Sequence, residues 1–182
     1  MIAHVLLISL AVTYATSPPQ PPRPEPSKCP HDESFPGLDM TKMKGRWHVA
    51  AASTTIPLGD RGLVKPIQGQ TVTITGRPGE NRLIHSVGKR QPFTHEYTIV
   101  QEEREINAYT PERVNELKFA VVATDYDNVA LIVTCEQHFT DNRVARVLVR
   151  HSARDNQRYL DQMYEHLPGR GFQIENMEKV EM

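Results

Sequence analysis

The chain reads as an all-β protein, an eight-stranded antiparallel up-and-down barrel with one α-helix packed outside. Three observations predict this. A period-2 alternation of apolar and polar residues dominates from residue 46 to 150. Short turn signals rich in Gly, Pro, Asn and Asp break that stretch into consecutive runs. The period then lengthens to that of a helix over 155–167.

Each element follows from local chemistry. Arg46 to Ala52 opens the series, and residues 53–66 form a loop punctuated by Pro57, Gly59, Gly62 and Pro66. Gln70 to Thr75 alternates strictly and is rich in β-branched residues, which suit a pleated surface. Gly76 to Gly79 turns the chain, and Arg82 to Val87 pairs back as a hairpin. Thr94 to Gln101 and the short Ile106 to Tyr109 follow. Leu117 to Thr124 and Val129 to Cys135 are the clearest pair, joined by Asp125-Tyr126-Asp127-Asn128. Val144 to Arg150 is the eighth run. Eight strands with short consecutive links can close into a barrel that holds one small ligand.

In the helical stretch Tyr159, Leu160, Met163, Tyr164 and Leu167 share one face. Ser152 or Asp155 caps its start and Pro168-Gly169 stops it. A helix this short needs the barrel wall to stabilise it. Gly171 to Ile174 offers a final edge strand, and the acidic tail 175–182 is expected to be loose.

The first 17 residues are set apart as a secretory signal peptide. Val5 to Val12 is a short apolar run, and Thr13-Tyr14-Ala15 supplies small residues at a cleavage site. The run is far shorter than the roughly 20 residues of a membrane-spanning helix, and no later segment is expected to span a bilayer. Residues 18–34 form a proline-rich arm that favours polyproline II. The body, 35–174, is one domain. The expected location is extracellular.

Composition narrows the function classes. The chain has 182 residues, 38% hydrophobic and 24% charged, with a net charge of −1. No broad field favours nucleic acid or an anionic membrane. After the signal peptide only Cys29 and Cys135 remain. In an oxidising compartment two cysteines most often pair; the alternative is two free or intermolecular thiols. Pairing would close a loop of about a hundred residues, worth roughly 4–5 kcal/mol in the chain-entropy view. No N-glycosylation triplet occurs.

Gly45-Arg46-Trp47, Thr124-Asp125-Tyr126 and Arg150 stand in an order that resembles the lipocalin family over nearly the whole mature length. The resemblance implies a structural role for Gly45, Trp47, Thr124, Asp125, Tyr126 and Arg150. They would close one end of the barrel, with the arginine over the tryptophan ring. The cysteine pattern is similar to the apolipoprotein D and insect bilin-binding group, which implies a Cys29–Cys135 disulfide. The group's second cysteine pair is absent.

The same resemblance implies a small hydrophobic ligand, such as a fatty acid, steroid, retinoid or bilin-like molecule. Aligned on Thr124 and Arg150, Ala120 and Val122 would face inward on the sixth strand, and Arg146 and Leu148 on the eighth. Ala120 and Arg146 stand where apolipoprotein D-like proteins carry large aromatics. Arg146 therefore points to a ligand with an acidic group, unless the register is off by one and the residue is solvated. Thr71, Thr73, Tyr97 and Tyr109 are further lining candidates from alternation alone.

No catalytic residue, cofactor or metal site is expected. Catalysis by thiolate would need a free cysteine in the barrel. His85 and His95, on neighbouring strands, could share a face, but a satisfied or surface histidine is the commoner case. The competing function is a barrel filled by side chains that acts through a receptor or other protein partner, using the loop 53–66 or the proline-rich arm.

Overall fold

Strand β1 (Gly45–Ser53) starts a closed barrel that continues through β2 (Gln70–Arg77), β3 (Glu80–Val87), β4 (Phe93–Glu102), β5 (Glu105–Tyr109), β6 (Glu116–Thr124), β7 (Val129–Glu136) and β8 (Arg143–Val149). The structure is a computed structural model, and it describes residues 34–53, 66–77, 80–89, 92–110, 116–136, 143–151 and 157–181. The signal peptide, Cys29 and most of the proline-rich arm lie outside the described residues, as does nearly all of the loop 53–66. Each of these eight strands lies within two residues of its sequence-based bounds.

All neighbours pair antiparallel in chain order, and β1 closes the barrel by pairing with both β8 and β2. β1, β3, β5 and β7 run away from the end that holds Trp47. That end carries the turn 125–128 and is the closed one. The other end receives the longer connections, which lie mostly outside the described residues, and among the described residues it is the open one.

Two apolar clusters follow from the alternation. The first fills the barrel and includes Trp47, Val49, Val72, Ile74, Leu83, Ile99, Phe119, Val121, Ile132 and Leu148. The second lies on the outer face of β7 and β8, where Leu131, Val133, Ala145 and Val147 meet Leu160, Met163 and Leu167. Leu160 and Met163 belong to α1 (Gln157–Tyr164). β7 and β8 are thus apolar on both faces because each face is covered. The helix expected over 155–167 ends earlier, at Tyr164, in turns at 165–167 and a 3₁₀ turn at Pro168–Arg170, and its expected caps Ser152 and Asp155 lie outside the described residues.

The C-terminal edge differs from expectation. Gly171 takes φ 77° and caps the 3₁₀ turn, donating its N–H to Pro168 O, so 171–174 does not extend as a strand. The last strand is instead β9 (Met177–Lys179), antiparallel to Ala51–Ser53 of β1. Nor is the tail loose. Val180 is buried in the interior cluster, and its N–H donates to Ala50 O at 2.9 Å. Glu181 O accepts from Gly69 N at 2.9 Å, and the Glu181 carboxylate meets Lys89 Nζ at 3.1 Å. β2 covers only the first half of β1's edge, and the tail takes the rest.

Two β-bulges decide which side chains enter the barrel. One lies in β1 between Val49 and Ala51, the other in β6 between Val121 and Ala123. Each inserts one residue and reverses the parity of alternation beyond it.

Candidate functional site

The closed end is built from the residues that opened the family resemblance. Trp47 is fully buried and donates Nε1–H to Met43 O at 2.8 Å. Arg150 lies across its ring, with the guanidinium carbon 3.8 Å from the ring centroid, a cation–π contact. The same guanidinium donates to Lys44 O at 2.6 Å, Lys42 O at 2.8 Å and Tyr126 O at 3.2 Å. Gly45 takes φ 110°, and a Cβ there would stand 2.6 Å from Arg150 Nη1. Glycine is required by both conformation and space.

The turn 125–128 supplies the rest. Thr124 Oγ1 donates to Val129 O and accepts from Tyr126 N, both at 2.8 Å. Asp125 accepts from the backbone of Asn128 and Val129 and from the Asn128 amide. Burial alone would raise the Asp125 pKa. The hydrogen bonds from Val129, Asn128 and Asp127 outweigh it and hold the carboxyl below its ordinary value. Tyr126, at φ 65°, turns its hydroxyl to accept from Asp39 N at 3.0 Å. Arg150, Thr124, Asp125 and Tyr126 each find hydrogen-bond partners within the protein, as scaffold residues do.

The open half is different. A cavity of about 20 Å³ lies between Val72, Leu83, Leu117 and Ile132, and it is also lined by His85, Thr134 and Arg146. Arg146 Nη1 donates to Thr134 Oγ1 at 2.5 Å. His85 lies across the barrel on β3, with its Nε2 3.2 Å from Gln70 Oε1. Gln70 is buried, and its Nε2 donates to Ile67 O at 2.7 Å. Burial, then the Arg146 cation, then His95, push the His85 pKa down to about 3, so its ring is neutral at ordinary pH. The cavity thus combines apolar walls, one fixed cation and one neutral imidazole.

Of the expected lining residues, the structure points Tyr97, Arg146 and Leu148 inward. It corrects the others. Ala120 and Val122 lie on the outer face of β6. Ala120 stands opposite Val133, and Val122 joins the outer cluster. The bulge between Val121 and Ala123 is the cause. Thr124 stands opposite inward Ala130, but beyond the bulge the inward residues are Val121, Phe119 and Leu117. Thr71 and Thr73 face outward because Val72 and Ile74 take the interior. Tyr109 faces outward because Ile106 and Ala108 take the interior.

Val72, Leu83, His85, Leu117, Ile132 and Thr134 line the cavity and were not among the expected lining residues. His85 and His95 do stand directly opposite on β3 and β4. His95 is exposed, however, and no group of three metal-ligating side chains occurs among the described residues. For His85 the signal was present, since it shares the parity of Leu83 in a strand with one apolar face.

This geometry defines a closed antiparallel barrel with one plugged end, one open end and a polar niche between. Solved structures of the same architecture include lobster apocrustacyanin A1, at 9% identity over 79% of each chain with a TM-score of 0.60. Apocrustacyanin C1 matches at 10% identity over 86% of this chain and 89% of that one, with a TM-score of 0.62. The cockroach major allergen Per a 4 matches at 18% identity over 84% of this chain and 94% of that one, with a TM-score of 0.61. No protein-family model and no curated protein matches the sequence. At these identities the likeness is one of fold, and the fold is that of the lipocalins.

Proposed function

We propose that the protein is a secreted carrier of a small amphipathic ligand, held in the open half of the barrel with an acidic group at Arg146. One observation carries the reading: a guanidinium lines an apolar-walled interior cavity. A few convergent polar groups in an apolar cavity are the usual signature of a small-molecule site. The cavity is small, about 20 Å³, when one water needs roughly 10–15 Å³ by such a measure. The ligand therefore enters head-first, its polar group in the niche and its apolar part toward the open end. The protein is a binder and not an enzyme. Cys135 is not a free thiol, and His85 beside a cation is a poor proton acceptor.

The placement nearest apolipoprotein D and the bilin-binding proteins belongs to this proposal, as does a Cys29–Cys135 disulfide. Cys135 is buried and not free, and Cys29 is the chain's other cysteine. Export from the cell rests on the N-terminal apolar run and this cysteine usage.

The small cavity favours a second reading, in which side chains fill the barrel and the protein works through a protein partner. Ile67 is 61% exposed and Phe93 77% exposed, both beside the open end, where a partner could cover them. Native mass spectrometry of protein secreted by its own host separates the two. A small molecule that co-purifies and leaves on Arg146→Met substitution supports the carrier. Bare protein together with undiminished fatty-acid affinity in Arg146→Met removes it.

A further inference from the structure

The niche holds two polar walls of opposite demand. On one side, Arg146 offers guanidinium donors, steadied by Thr134 Oγ1, which in turn donates to Val144 O at 3.4 Å. On the other side, the tautomer of His85 is fixed by a relay. The Gln70 amide must turn its NH₂ toward Ile67 O, because the opposite orientation would set two carbonyl oxygens against each other. That places Gln70 Oε1 against His85 Nε2, so Nε2 carries the proton and donates. Nδ1 is then a hydrogen-bond acceptor. Among the described residues the hydrogen bond of the His85 ring is the one at Nε2.

These walls face each other across a space of about 20 Å³, with His85 on β3 and Arg146 and Thr134 on β8 and β7. A single polar head can touch both. A simple carboxylate can accept from Arg146 but sets an oxygen lone pair against the lone pair of Nδ1. A metal cation suits Nδ1 but is repelled by Arg146. A head with an anionic oxygen beside a hydroxyl satisfies both, because the hydroxyl donates to Nδ1 while the carboxylate accepts from Arg146.

We infer that the barrel selects hydroxylated acids, amphiphiles with a hydroxyl on the carbon next to the carboxylate or one further along. His85 reads the hydroxyl and Gln70 acts as its positioning residue. The inference rests on the carrier reading proposed above and narrows it to a ligand class. A site built to hydrogen-bond a hydroxyl rejects the analogue that lacks it, because its buried polar group is then left unmatched.

The test is calorimetric titration of the full chain with dodecanoic acid, 2-hydroxydodecanoic acid, 3-hydroxydodecanoic acid and methyl dodecanoate. One of the hydroxy acids is expected to bind about tenfold tighter than dodecanoic acid, and the ester weakest. His85→Phe keeps the ring shape but removes the acceptor, and should abolish the preference. Gln70→Met releases the tautomer and should shrink the preference with the ring intact. It also serves as the decisive variant if His85→Phe fails to fold.

Equal affinity for plain and hydroxylated acids overturns the inference and leaves the carrier intact. So does a preference that survives in both variants. If none of the acids binds, the carrier reading and the inference fall together.

Discussion

Two arginines near the end of β8 sit in opposite circumstances. Arg150, just past the strand, has its guanidinium on the Trp47 ring and three backbone carbonyls. Arg146, inside the strand, lines the cavity and donates to the hydroxyl of Thr134. The first charge is absorbed by the fold: it meets carbonyl dipoles and an aromatic face in a fixed geometry. The second places a cation among Val72, Leu83, Leu117 and Ile132, where burying charge opposes stability. The closed end is therefore where this chain gains stability, and the open half is where it gives some up for a site.

That contrast breaks most sharply on Trp47. Trp47→Ala empties a fully buried position and should cost about 3–5 kcal/mol, read as a lower urea midpoint. A loss below about 1 kcal/mol would show that the closed end is not the anchor. Arg150→Ala strips donors from Lys42 O, Lys44 O and Tyr126 O and should cost about 2–3 kcal/mol. Arg146→Met should do the reverse. It leaves stability within about 1 kcal/mol or raises it, because an apolar side chain replaces a buried charge. Its cost appears in binding, as a loss of about tenfold or more in affinity for dodecanoic acid. If both substitutions lower stability alike, the two arginines have the same role and the comparison fails.

The two ends also separate on a pH axis. The folded pKa of His85 is depressed from 6.5 to about 3. The unfolded chain takes up that proton first as pH falls, so this contribution is complete above about 6.5 and is lost on the way down toward 3. Asp125 has a folded pKa below its ordinary 3.8. Its contribution is present above that value and lost as pH falls through the lower folded one. Protonation of His85, and of His48, whose folded pKa burial also lowers, therefore weakens the fold before protonation of Asp125 does. Urea midpoints at pH 7.5, 6, 5 and 4 should fall steadily in the wild type and fall less in His85→Phe. Equal slopes in the two proteins would mean that His85 is not the group responsible.

The sequence exposed the barrel and its closed end because both depend on local signals. Glycine at φ 110° before Trp47, the Asx turn at Asp125 and the alternation of β7 and β8 are written in a few neighbouring residues each. The interior surface was less legible because parity has to be carried along each strand. Counted back from Thr124, strict alternation puts Val122 and Ala120 inside, and the bulge between Val121 and Ala123 moves both out. Nothing in Val121-Val122-Ala123 announces that bulge. On β8 no bulge intervenes, and Arg146 and Leu148 sit where the count from Arg150 places them. The C-terminal strand was misplaced for a related reason. Glu175 to Lys179 is charged and reads as tail, yet as an outer edge strand on β1 it needs only backbone pairing.

The smallest expected effect tests that assignment of faces. Thr73 stands beside Val72 and Ile74 on β2, but it faces solvent while they fill the barrel. Thr73→Ala removes a β-branched side chain from an outer surface and should cost no more than about 0.5 kcal/mol. It should leave ligand affinity unchanged. Val72→Ala, one residue away, widens the niche from its apolar side and should alter affinity measurably, while costing about 1 kcal/mol or more as a core truncation. The discriminating quantity is the ratio of the two affinity changes in the same titration. A ligand that responds to Thr73 and ignores Val72 would place the interior on the other parity of β2. Gln70 would then move out of the barrel with Val72, and the relay that fixes His85 would no longer face the cavity.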